Sequence, residues 1–266
     1  MIAAPNILIF DSGLGGLTVF REVAAARPDA RFVYAADDAF FPYGRHEEPV
    51  LVARVLEVME TLIAEHRPNL VVIACNTASV QALAHLRSKF KVPFVGTVPA
   101  IKPACARSSS KLVTVLGTEA TVKREYTRAL VAEHGNNCAV TLVGSLHLAE
   151  LGEAELTGSP AADADILAEL TPCFVTAGDR RTDTVVLACT HFPLLLRRLE
   201  KLALWPVNFI DPAPAIARRV LDLLGPPTAA KALSARAIFT SGKGPSSTLA
   251  TALSHFGLSA NTPAAV

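Results

Sequence analysis

Several things are missing from this chain of 266 residues, and each absence removes a class of protein. No apolar run reaches the ~18 residues that a membrane-spanning helix requires. The N-terminal MIAAPNILIF has no basic region and no small-residue cleavage site, so the expectation is a cytoplasmic protein with no membrane partner. No Cys-x-x-Cys occurs. The five cysteines, at 75, 105, 138, 173 and 189, are odd in number and widely spaced, which argues against a disulfide framework and against a zinc site. An excess of one charge is also absent. The formal net charge is +1, so no basic field favours nucleic acid and no acidic tract suggests a solvating tail. There is no Ser/Gly linker or low-complexity stretch, so whatever units the chain forms should pack closely.

What is present reads as a globular α/β protein. Hydrophobic residues make up 51% and charged residues 18%, enough for a sizeable core. Short apolar runs are expected as strands at 6–10, 31–35, 70–74, 93–96, 112–116, 139–143, 184–188, 207–210 and 237–240. They are rich in Val, Ile, Leu and Phe without alternation, which suits buried parallel strands. Between them Leu51, Val52, Val55, Val58, Met59 and Leu62 recur at helical spacing, ending at His66-Arg67-Pro68-Asn69. In such folds ligands bind at the carboxyl ends of strands.

A weak internal repeat stands out. Leu70-Val71-Val72-Ile73-Ala74-Cys75-Asn76-Thr77 resembles Thr184-Val185-Val186-Leu187-Ala188-Cys189-Thr190-His191. The two cysteines lie 114 residues apart (189 − 75), too far for a solenoid and suited to two related halves. The expected architecture is two similar doubly wound α/β domains related by pseudo-symmetry, with the active site in the cleft between them. The first domain would comprise residues 1–97 plus 207–266 and the second residues 98–206, with crossings near Gly96-Thr97-Val98-Pro99 and Trp205-Pro206.

Each repeat places a cysteine after a strand and before a residue able to open a helix. A helix N-terminus supplies N–H groups and a positive dipole end, which lower a thiol pKa. Two such thiols on opposite sides of a substrate form an acid/base pair for inverting a carbon centre. Other thiol chemistries fit less well. The Cys-x5-Arg of a phosphatase is absent, since Cys75 leads to Gln81 and Cys189 to Leu195. His191 is only two residues from Cys189, poor spacing for a hydrolase dyad, though it could reach Cys75 across a cleft. A metal site from Cys75, Cys189 and His191 lacks supporting spacing. Cys105, Cys138 and Cys173 read as small core hydrophobes.

Other candidates keep two readings each. Asp11-Ser12-Gly13-Leu14-Gly15-Gly16 ends the first strand in a loop whose backbone N–H groups suit a small carboxylate. It lacks the Lys-Ser/Thr of a P-loop and the third glycine of a dinucleotide fingerprint. Asp11 either binds an amino group, orients a thiol or caps a helix. Phe41-Pro42-Tyr43-Gly44-Arg45 is an ordered loop or a turn with aromatic packing, and Thr118 is a helix cap or a ligand contact. Glu153, alone, would be a solvated helix residue. Gly152 should loosen that helix.

These motifs together resemble the glutamate racemases, cofactor-independent members of the aspartate/glutamate racemase superfamily. The likeness runs through Asp11–Gly16, Phe41–Gly44, Ala74–Ser79, Val98–Ala100, Gly117–Thr121, Ala188–Leu195 and Asp211–Ala213. It implies that Cys75 and Cys189 are the catalytic acid/base residues, with Asp11, His191 and Glu153 near them. It implies substrate contacts from Asp11, Ser12, Tyr43, Gly44, Asn76, Thr77, Thr118, Thr190 and His191. It further implies conversion of L-glutamate to D-glutamate for peptidoglycan, with no cofactor and no metal, often as a homodimer and in some members regulated by a peptidoglycan precursor. An aspartate or hydantoin racemase of the same superfamily and a catalytically silent α/β binding module are the alternatives. The paired thiols weigh against the latter.

Overall fold

The computed structural model describes residues 4–135, 137–228 and 234–260. The strands in chain order are β1 (Asn6–Asp11), β2 (Arg31–Ala36), β3 (Leu70–Ile73), β4 (Phe94–Gly96), β5 (Leu112–Thr118) and β6 (Ala139–Ser145). They continue with β7 (Thr176–Ala177), β8 (Arg180–Arg181), β9 (Thr184–Ala188), β10 (Asn208–Ile210), β11 (Ala235–Phe239) and β12 (Ser259–Ala260). The helices are α1 (Leu17–Ala26), α2 (Glu48–His66), α3 (Asn76–Lys89), α4 (Ile101–Arg107), α5 (Glu119–Val122) and α6 (Glu125–His134). Beyond these come α7 (Leu148–Thr157), α8 (Asp163–Leu170), α9 (Leu196–Leu202), α10 (Ala213–Leu224) and α11 (Ser247–His255).

Two parallel sheets organise the chain. One has the order β12-β11-β2-β1-β3-β4 and the other β10-β9-β5-β6. Within these lies a shared pattern. The run β2-β1-β3-β4 of the first sheet corresponds, strand for strand in chain order, to β6-β5-β9-β10 of the second. The sequence repeat is therefore a repeat of topology. It also moves one boundary. β10 pairs with β9, from Asn208↔Thr184 to Ile210↔Val186. The return to the first sheet thus comes after Ile210, and not at Trp205-Pro206. β10, three residues long, carries no mark of which sheet it joins.

Central strands are apolar on both sides because both sides are covered. In β1, Ile7 and Ile9 face one cluster with Val72, Leu17 and Val220, while Leu8 and Phe10 face another with Val55, Leu62 and Ile73. β9 divides likewise, with Val185 and Leu187 on one side and Val186 and Ala188 on the other. α2 buries Leu51, Val55, Val58, Met59 and Leu62 as expected, while Val52 is only partly buried. It stops where Arg67 turns left-handed (φ 43) ahead of Pro68, which cannot continue a helix.

All nine expected strands are present within two residues at either end. The short antiparallel hairpin β7–β8 and the edge strand β12 were not expected, being two residues long with no periodicity to betray them. Among the described residues no helix is long and apolar enough to cross a membrane.

Candidate active site

Strand register brings the chemistry together. β1 and β3 pair through Phe10↔Ile73, so Ser12 and Cys75, two residues on, emerge side by side. The Cys75 thiol lies 3.7 Å from Ser12 Oγ. Cys75 also caps α3, its sulfur accepting from the Ala78 N–H at 3.5 Å. In the second sheet β5 and β9 pair through Gly117↔Ala188, so Thr118 and Cys189 emerge together one residue later. Ser12 and Thr118 thus occupy corresponding places beside the two thiols.

The two halves close on a narrow cavity. Ser12, Tyr43, Gly44, Cys75, Asn76 and Thr77 line it from the first half, and Thr118, Ala149, Cys189, Thr190 and His191 from the second. Cys75 is 4% and Cys189 6% exposed, so both thiols are shielded from bulk water. The Asn76 carboxamide is buried with neither its oxygen nor its nitrogen hydrogen-bonded among the described residues. A buried polar group without a partner is costly, and here it lines a cavity that a polar ligand could fill. Of the two readings of Thr118, the structure has the helix cap. Its hydroxyl accepts from the Thr121 N–H as the cap of α5, and it lies 3.1 Å from Thr77 Oγ1 across the cleft.

Behind Cys189 stands a chain of titratable groups. His191 Nδ1 is 3.9 Å from the Cys189 sulfur, and Nε2 is 2.6 Å from Glu153 Oε2. Glu153 also accepts from the Leu14 N–H of the first half at 3.0 Å. Nε2 lies 3.1 Å from the Gly15 N–H as well. One nitrogen cannot donate to a carboxylate and accept from an amide at once, and the shorter contact assigns its proton to Glu153. His191 is held well above the ordinary imidazole value. Burial opposes its charge, but the contacts to Cys189 and Glu153 outweigh it.

Cys75 has a different neighbour. Asp11 is fully buried, accepting from Thr190 Oγ1 at 3.0 Å and from the Gly13 N–H at 3.2 Å. Burial pushes the Asp11 carboxyl up to about 6, with His191 pulling the other way. Burial likewise pushes the Cys75 thiol up to about 12, and the charge of Asp11 adds to it.

Several expectations need correction. The Cys75 thiol is raised where a helix N-terminus was expected to lower it, because desolvation exceeds the help of the Ala78 N–H. Cys189 does not precede an α-helix directly. A 3-10 turn, Phe192–Leu195, intervenes before α9. Asp11 caps no helix, since the N-cap of α1 is Gly16. The loop's N–H groups do bind carboxylates, but the protein's own: Gly13 takes Asp11 and Leu14 takes Glu153. Glu153 is no solvated helix residue. Gly152 does not break α7. A Cβ there would sit 2.8 Å from the His191 carbonyl oxygen, so the glycine lets the helix approach the site. At Gly15 a Cβ would sit 2.5 Å from His191 Nδ1, which gives the glycine-rich loop the same purpose.

Sequence reading missed one group of residues. Asp37, fully buried at the end of β2, accepts from Tyr43 OH at 2.6 Å, from Arg54 Nη2 at 2.7 Å and from Thr240 Oγ1 at 2.6 Å. Its N–H donates to the Asp11 carbonyl at 2.9 Å. It ties the Tyr43–Gly44 wall of the cavity to α2 and to the end of β11. Its signal was an aspartate closing a strand, as Asp11 does. Among the described residues no group of three or more His, Cys, Asp or Glu side chains is placed to hold a metal ion.

With this geometry in view, the likeness to known proteins can be placed. The Asp/Glu/Hydantoin racemase family model matches residues 17–220. The chain belongs to that family. It is 54% identical over 219 residues to a glutamate racemase of Brucella ovis, covering 82% of this chain and 79% of that one. It is 50% identical over 240 residues to a glutamate racemase of Agrobacterium fabrum, covering 89% and 88%. A crystal structure of Escherichia coli glutamate racemase in complex with L-glutamate and the activator UDP-MurNAc-Ala superposes with a TM-score of 0.88 at 37% identity, covering 97% of each chain. The cavity described above is thus the candidate active site of a racemase, an isomerase that works at a carbon stereocentre.

Proposed function

We propose that this racemase interconverts L- and D-glutamate without a cofactor, Cys75 and Cys189 acting on opposite faces of Cα. The observation that carries the reading is the placement of two buried thiols at corresponding strand ends, one from each half, on a single cavity. One thiol takes the Cα proton as the other delivers a proton to the opposite face, and their roles exchange with direction. Asp11 lies beside Cys75 and is ionised above about pH 6, where it favours a positive neighbour such as the substrate ammonium. His191 gives Cys189 a cationic neighbour, and Glu153 fixes its ring. Ser12, Asn76, Thr77, Thr118 and Thr190, with the Tyr43–Gly44 wall, supply the polar surface that holds the amino acid. The identity to glutamate racemases supports glutamate over aspartate or a hydantoin.

The same reading has the product serve peptidoglycan in the cytoplasm. It includes homodimerisation and regulation by a UDP-linked muramyl precursor, the latter supported by the activator in the Escherichia coli complex. The test is incubation with L- and D-glutamate in D2O, with no pyridoxal phosphate or metal added. Solvent deuterium should enter Cα from both enantiomers as optical rotation decays to zero. Absence of exchange from either enantiomer overturns the proposal.

A further inference from the structure

A second cavity adjoins the inner one. This narrow outer chamber shares Pro42, Gly44, Thr118 and Ala149 with the inner cavity and adds Glu119 and Ser145, with Arg45 and Leu146 at its rim. Both rim residues are exposed, so the chamber reaches solvent. The inner thiols are shielded from water, and the adjoining chamber offers a reactant a route toward them from solvent.

Two ion pairs join the halves around this route. Arg45, in the turn after β2, meets Glu150 on α7 of the second half. Glu48, at the start of α2, meets Arg124, just ahead of α6. Pairs this exposed hold weakly and exchange readily. The Arg45 partner has a chemical peculiarity. The group on its guanidinium is a glutamate side chain, the same carboxylate on the same two-carbon arm that a glutamate reactant would present. Glu150 also has somewhere else to go, since its other oxygen lies 3.9 Å from His147 Nδ1.

We propose that Arg45 is the docking cation for the side-chain carboxylate of the incoming dicarboxylic amino acid, and that Glu150 is its built-in competitor. The reactant displaces Glu150 from Arg45. Because that pair bridges the halves, the exchange loosens the rim as the reactant arrives, and Glu150 reclaims Arg45 once the reactant has moved inward. This rests on glutamate being the substrate.

The test compares Arg45→Gln and Glu150→Gln in steady-state kinetics with both enantiomers, at low and high salt. Arg45→Gln should raise KM about tenfold and flatten the salt dependence of kcat/KM. Glu150→Gln should lower KM, because the competitor is gone, and kcat should stay within about twofold in both. The double variant should follow Arg45→Gln, and Arg45→Lys should stay near the parent. A pair that merely holds the halves together is broken equally from either side. KM shifts of the same sign in the two single variants therefore overturn the proposal, as does an unchanged KM in Arg45→Gln. Failure of the substrate reading looks different, because the unsubstituted enzyme would then not racemise glutamate at all.

Discussion

Cys75 feels the charge of a buried carboxylate, Asp11, and Cys189 lies beside a buried imidazole, His191. The strand-end positions correspond, as do the hydroxyls of Ser12 and Thr118 beside them. The charged neighbours are opposite in sign. In the two-thiol mechanism proposed above, a proton passes in either direction between ends that are alike in backbone geometry and unlike in their charged neighbours. Backbone topology sets the likeness, and a few side chains set the difference.

The strongest way to break this comparison is to remove one sulfur. Cys75→Ser and Cys189→Ser should each lower racemisation by about 10²–10⁴-fold, the scale of a lost acid/base group. Comparable residual activity in one variant would mean that a single thiol serves both faces. Next come the charged neighbours. Asp11→Asn and His191→Asn should each lower kcat/KM roughly tenfold or more. Because L- and D-glutamate are equal in free energy, kcat/KM must fall equally in both directions. The asymmetry should appear instead in the isotope effect on Cα deuterium. It should grow for one enantiomer in Asp11→Asn and for the other in His191→Asn, and growth for the same enantiomer in both would dissolve the distinction between the ends.

A fifth variant acts on the Cys189 end alone. Gly152→Ala presses a methyl group on the His191 carbonyl and should cost about 1–3 kcal/mol in a denaturant titration. The smallest effect belongs to the Cys75 end. The Asp11 carboxyl is raised on folding, so its contribution to stability is full below about pH 4 and is lost as pH rises through about 6. Asp11→Asn removes that penalty. It should therefore raise Tm at pH 8 relative to the parent, by the equivalent of about 1 kcal/mol after the lost acceptor is counted, with no gain at pH 4. Equal shifts at both pH values would show that the buried carboxyl is not strained.

Patterns that repeat along the chain were legible in the sequence. The strands could be read because buried parallel strands are continuous apolar runs, and the pairing of Cys75 with Cys189 because the two runs leading to them match. What escaped depends on partners distant in sequence. Asp37 gains its meaning from Arg54 and Thr240, and β10 from the sheet it happens to join. The raised Cys75 thiol escaped because a helix N-terminus is visible locally, whereas desolvation is a property of everything packed around it. Gly152 was misread because its neighbour, His191, is a turn on another part of the chain.

The matching order of β2-β1-β3-β4 and β6-β5-β9-β10 has a consequence for ancestry. A unit with that order, associating with a second copy of itself, would place two equivalent thiols across a shared cleft. Fusing the copies into one polypeptide abolishes the concentration dependence of that encounter. It also releases the copies from identity. An aspartate can then become fixed beside one sulfur and a histidine beside the other, a division of labour that no strictly self-paired ancestor could encode.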